Sequence, residues 1–119
     1  MRDNIVKTKS FSFAIKIVKL YKYLVETKKE YILSKQVIRS GTSVGAMVRE
    51  SELALSKADF IHKLAKAQKE INETIYWLEL LKETDYILKN DFEIIYKDAI
   101  QIIRLITSII KAPKSNLRG

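Results

Sequence analysis

At 119 residues, with 47% hydrophobic side chains, one proline and no cysteine, the chain is sized for a single core. That composition excludes disulfides and thiolate metal sites and argues against disorder. No uncharged apolar run approaches the ~18 residues that suggest a membrane span. Lys16, Lys19 and Lys22 interrupt the N-terminal region where a signal peptide needs an apolar run. The expectation is a cytoplasmic protein with no membrane partner. The formal charge is +8 and unevenly spread: residues 1–49 hold 11 Lys or Arg against three acids, while residues 50–119 hold 11 of each sign. Such asymmetry suits a polyanion or an acidic protein surface as partner, although a solvated basic face that only keeps the chain soluble is the competing reading.

Apolar residues recur at helical spacing almost throughout, and the pattern predicts four helices. The first covers roughly residues 9–28, with Phe13, Ile17, Leu20 and Leu24 on one stripe. Ala14, Val18, Tyr21 and Val25 widen that stripe to about half the circumference, more than the ~100° that one core face requires. Lys9, Lys16, Lys19 and Lys22 take the other side. The second helix runs from about Lys35 to Ala54, with Ser34 as its N-cap. Ser56 caps the third, which continues to Thr84 with Ile61, Leu64, Ile71, Ile75 and Leu78 facing inward. The fourth opens at Asn90, whose spacing to Glu93 matches a capping box, and ends before Pro113. Phe92, Ile95, Ala99, Ile102, Ile106 and Ile109 form its stripe; sustained 3-4 spacing outweighs its β-branched content. Four helices joined by short links predict an all-α, antiparallel up-down-up-down four-helix bundle. It forms one domain over residues 1–119, with loose ends at about 1–8 and 113–119.

Two of the three glycines, Gly41 and Gly45, fall four apart inside the second helix, in the stretch RSGTSVGAMVRE. A helix-interior glycine costs about 1 kcal/mol relative to alanine, so something must offset the pair. Ser40, Thr42, Ser43 and Ala46 keep the surroundings small, which lets another helix backbone come close. A phosphate-cradling loop is excluded because no GK[ST] follows and no strand precedes. A break in the helix is the remaining alternative.

Residues 36–81, QVIRSGTSVGAMVRESELALSKADFIHKLAKAQKEINETIYWLELL, resemble the signature of the 23S rRNA intervening-sequence protein family. The matching motifs are the Q-V-I-R-S-G-T-S-V-G-A run, R-E-S-E, S-K-A-D-F-I-H-K-L and E-T-I-Y-W-L-E-L-L. One departure is Met47, where the family usually has asparagine. The resemblance implies a four-helix bundle with no established enzymatic activity. Similar proteins serve as accessory factors of diversity-generating retroelements, where pentameric barrels bind nucleic acid and a reverse transcriptase. A homopentamer and RNA, DNA or reverse transcriptase partners are therefore implied by the resemblance alone.

The residues themselves offer little to catalysis and imply no cofactor. His62 is the single histidine, near Asp59, and a di-iron bundle needs two such motifs plus two further carboxylates. Glu70 and Glu73 sit among Lys63, Lys66 and Lys69 as ordinary salt-bridge formers. Ser40, Thr42 and Ser43 have no base to activate them. The reading is a non-enzyme whose candidate nucleic-acid-binding residues are Lys9, Lys16, Lys19, Lys22, Lys35, Arg39 and Arg49, contacting phosphates without base specificity. The alternative is an oligomeric scaffold for an acidic protein. Tyr76, Trp77 and Leu80, off the main stripe of the third helix, are assigned to a subunit interface or bundle end in preference to base stacking.

Overall fold

A computed structural model describes residues 2–112, with side chains from residue 5. Its four helices are α1 (Arg2–Glu26), α2 (Leu33–Ser51), α3 (Lys57–Glu83) and α4 (Lys89–Lys111). Each packs on the next in sequence, α4 closes against α1, and the backbones of the diagonal pairs stay apart. With links this short, successive helices must run antiparallel, so the all-α chain is an up-down-up-down bundle measuring 48 × 22 × 19 Å.

The buried positions step by three and four along every helix. On α1 they are Val6, Ser10, Phe13, Ile17, Leu20 and Leu24, and on α4 Phe92, Ile95, Ala99, Ile102, Ile106 and Ile109. This 3.5-residue repeat is the seam of left-handed, knobs-into-holes packing. It corrects the reading of α3, where Ile61 and Ile75 are only half-buried. The seam instead runs through Phe60, Leu64, Ala67, Ile71, Thr74, Leu78 and Leu81. Small Ala67 and polar Thr74 conceal it from a search for large apolar residues. Thr74 satisfies its hydroxyl in place, 2.7 Å from the Glu70 carbonyl and 2.8 Å from Ser40 Oγ on α2.

The helix starts differ from expectation in three places. Residues 2–8 are helical, not loose, because Val6 and Ser10 continue the α1 seam backwards and Val6 is 1% exposed. The expected loose end at 113–119 lies outside the described residues. Ser34 is not the cap of α2: it is inside the helix, buried, and its Oγ has no hydrogen-bond partner. The Glu30 carboxylate caps instead, accepting from the backbone N–H groups of Ile32 (3.1 Å), Leu33 (2.9 Å) and Ser34 (2.7 Å). A carboxylate accepts several N–H donors at once and is favoured by the positive end of the helix dipole, so it outcompetes a neutral hydroxyl. Lys29 turns the chain for this with φ 55°, in the left-handed region. The capping box at Asn90 does not form either, since α4 begins at Lys89 with Leu88 at its N-cap and no side-chain cap. Ser56 does cap α3, its Oγ accepting from Asp59 N–H at 3.0 Å.

Candidate polyanion-binding surface

Helix α2 is continuous through both glycines, and they face α1. A Cβ on Gly41 would lie 2.8 Å from Ile17 Cγ2 and 2.9 Å from Ile17 Cγ1, closer than side chains pack. At Gly45 a Cβ would stand 3.4 Å from the Ser10 carbonyl oxygen, an ordinary contact. The close approach is therefore centred on Gly41, against an Ile17 side chain that is fully buried. Met47 is half-buried at the edge of the core.

This packing sets the azimuth of each helix and so distributes the basic residues, which do not form one continuous face. Lys16 pairs with Asp98 of α4, and Lys9 Nζ donates to Gln101 Oε1 at 3.2 Å. Arg39 pairs with Glu70 at 3.2 Å and with Glu73, both on α3. The Arg49 guanidinium sits over the Phe11 ring, 5.0 Å from its centroid. Lys19 lines a groove between α1 and α4, and Lys22 and Lys35 are exposed. Four of the seven candidates are thus already engaged with other helices.

The α2–α3 side carries the strongest local electrostatics. Trp77 Nε1 donates to Glu73 Oε2 at 3.0 Å, and this bond, with the Arg39 guanidinium beside it, holds the Glu73 carboxyl below the usual range. The same Glu73 bond, joined by Glu70, raises the Arg39 guanidinium. Trp77 is half-buried and meets Tyr76 edge-on with centroids 5.0 Å apart, while Tyr76 is exposed and Leu80 half-buried. The indole is thereby fixed by a carboxylate and a second ring on its own helix.

Lys28 and Lys29, in the turn between α1 and α2, are exposed and were not among the sequence candidates. Together with Lys22, about a turn before the end of α1, and Lys35, in the first turn of α2, they gather at one end of the bundle. The neighbouring acid, Glu30, is 7% exposed because it caps α2, so its carboxylate is turned inward. Tyr31, 52% exposed, and Tyr23, whose ring has Lys28 Nζ at 6.0 Å, interleave this basic end with aromatic surface. The adjacent lysines before Glu30 were visible in the sequence, but the inward turn of Glu30 was not.

Two further features bear on chemistry. Along α1 and α4, a groove of about 520 Å³ opens near this same end, floored by Leu20 and Ile95, with exposed Tyr23 and Ile94 at its mouth and Lys19 and Asp91 on its rims. Among the described residues no group of three or more His, Asp or Glu side chains could hold a metal ion. His62 is exposed on α3, and Asp59 beside it spends its backbone N–H on the Ser56 cap. No helix among the described residues is long and apolar enough to cross a membrane.

Comparison with known proteins agrees with this architecture. A crystal structure of a protein with unknown function from the S23 ribosomal protein family of Bacteroides thetaiotaomicron superposes with a TM-score of 0.93. It is 56% identical, and the match covers 94% of this chain and 100% of that one. A search of curated proteins gives no significant match. The model of the 23S rRNA-intervening sequence protein family matches residues 2–108. The chain belongs to the 23S rRNA-intervening sequence protein family.

Proposed function

We propose that this protein is a non-enzymatic, self-associating accessory protein that binds the phosphate backbone of RNA or DNA without reading base sequence. The observation that carries the proposal is the basic α1–α2 corner at this end of the bundle, where Lys22, Lys28, Lys29 and Lys35 are exposed while Glu30 is buried. Exposed Glu26, and Glu83, Asp85, Asp91 and Glu93 on the α3–α4 side, confine the positive surface to that corner. Lysine is a compact cation on a flexible stem and suits phosphates of variable geometry. A convex bundle end offers no element to enter a groove, so contacts stay on the backbone. Self-association, as the homopentamer that the family resemblance implies, would place several such ends on one particle. Multivalency then raises a weak single-site affinity by roughly 10²–10⁴-fold.

The test is fluorescence anisotropy with unrelated RNA and DNA oligonucleotides at about 50 mM salt, where phosphate contacts are strong. Replacing Lys22, Lys28, Lys29 and Lys35 with glutamate is expected to abolish binding with helicity unchanged. Affinity of the unaltered protein should fall steeply with salt through counterion release. Absence of any binding by the unaltered protein at that salt transfers the function to the second reading, an oligomeric scaffold for an acidic protein such as a reverse transcriptase. The same exposed lysines would meet the carboxylates of such a partner.

A further inference from the structure

The α1–α4 groove and the outer face of α3 both expose apolar side chains, carry opposite charges beside them, and cannot meet within one chain. The groove has an apolar floor that includes Leu20 and Ile95. Tyr23 and Ile94 at its mouth are 39% and 57% exposed, an unfavourable amount of apolar surface to leave in water. Its α1 rim is basic through Lys19. On α3, Tyr76 and Leu80 lie one turn apart, with Tyr76 56% exposed, and exposed Glu79 and Glu83 flank them, Glu83 within 3.2 Å of Lys82 Nζ. This is a short amphipathic helix face of acidic character, the geometry that seats in a groove between two helices. Helix α3 stands diagonally across the bundle from α1. Both surfaces nevertheless lie at the same end of the bundle, since α1 and α3 finish there and α4 begins there.

We propose that the outer face of α3 in one copy docks in the α1–α4 groove of the next. Tyr76 and Leu80 cover the exposed Tyr23 and Ile94, and the Glu79 and Glu83 carboxylates meet Lys19. Asp91 on the α4 rim repels those carboxylates and so holds them to the α1 side, which fixes the direction of the docked helix. Because the two surfaces differ, the contact is heterologous and repeats head to tail. Their common height along the bundle lets successive copies stand side by side in a closed ring. This rests on the self-association proposed above and names the two faces that would make it.

The experiment uses charge reversal in the full chain, read by sedimentation velocity, with circular dichroism as the check on folding. Lys19→Glu alone, and Glu79→Lys with Glu83→Lys, are each expected to weaken assembly about tenfold or more, since like charges are then opposed. In an equimolar mixture each variant supplies the complement the other lost and should recover assembly in part, since alternating copies pair but cannot close an odd-numbered ring. Combining all three changes in one chain should recover it too. Assembly by the unaltered protein with no effect of the α3 changes overturns the pairing, as does a mixture no heavier than either variant alone. A monomeric unaltered protein instead removes the self-association reading itself. Ile94→Glu supplies an independent arm: it should dissociate the assembly with helicity retained, and an unchanged mass overturns the proposal.

Discussion

The α1–α2 seam and the α1–α4 seam share one helix, yet the first is shut and the second is spanned. Against α2, the side chain of Ile17 fits because Gly41 has none: even a Cβ there would come within 2.8 Å. Against α4, long polar side chains bridge the gap, Lys16 to Asp98 and Lys9 to Gln101, and beyond them the apolar groove opens. A seam closed by deleting side chains is insensitive to salt and intolerant of added volume. One spanned by flexible charged chains tolerates change and leaves surface for a partner. Gly41 therefore marks the fixed side of the bundle, and the groove marks the side available for association.

Four measurements can break or sharpen this contrast. The largest effect is expected from Gly41→Leu, which forces a side chain into fully buried Ile17. Overpacking costs about 1–3 kcal/mol, more than leucine returns in helix propensity, and urea denaturation should show the loss. A variant as stable as the unaltered protein would mean that the seam is not closed at Gly41. Next comes Gly45→Ala, where the new Cβ meets the Ser10 carbonyl at an ordinary 3.4 Å. Here propensity should win, giving a neutral change or a gain of up to about 1 kcal/mol in the same assay. A large loss would extend the tight contact over a further turn.

On the open seam, Lys16→Met removes an ion pair whose side chains are 41% and 30% exposed. Screening limits such a pair to about 0–1 kcal/mol, so thermal unfolding should shift little and the shift should shrink at high salt. A loss comparable with that at Gly41 would make the two seams equivalent. The smallest effect is a titration at the α2–α3 side, followed by Trp77 fluorescence, the chain's single tryptophan. The Glu73 carboxyl is held below its ordinary 4.5 by the Trp77 and Arg39 hydrogen bonds. A depressed carboxyl contributes stability that is present above its unfolded value and lost as pH falls through the folded one. The emission change should therefore have a midpoint below 4.5 and vanish in Glu73→Gln. A midpoint at or above that value would remove Glu73 from the indole's environment.

Helix number, order and topology were legible in the chain. Apolar residues at steps of three and four require helices, and links too short for crossovers require antiparallel neighbours. Gly41 was legible as a close contact because its helical propensity cost needs an offset within the fold; the same reading overreached at Gly45, where a Cβ would meet only an ordinary 3.4 Å contact. Other features misled. Residues 1–8 were expected to be loose as a chain end, although Val6 continues the α1 seam and buried Ser10, which donates to the Lys7 carbonyl at 3.1 Å, fills a seam position. At α2, serine looked like the cap because side-chain preference is local, whereas the Glu30 cap depends on a left-handed turn at Lys29.

By itself the sequence determined four amphipathic helices, their order, their basic first half and the glycine contact, because each follows from periodicity or composition within one helix. Only the tertiary structure decided which charges remain available. Lys16 meets Asp98 across 82 residues and Arg39 meets Glu73 across 34. Such pairings depend on how far each helix is rotated about its axis and slid along its neighbour. That rotation and offset come from the joint packing of all four seams, where a glycine opposite Ile17 moves α2 inward. No single helix encodes it, so the same lysines that look alike in the chain become ion-pair partners, groove rims or exposed cations only after the bundle closes.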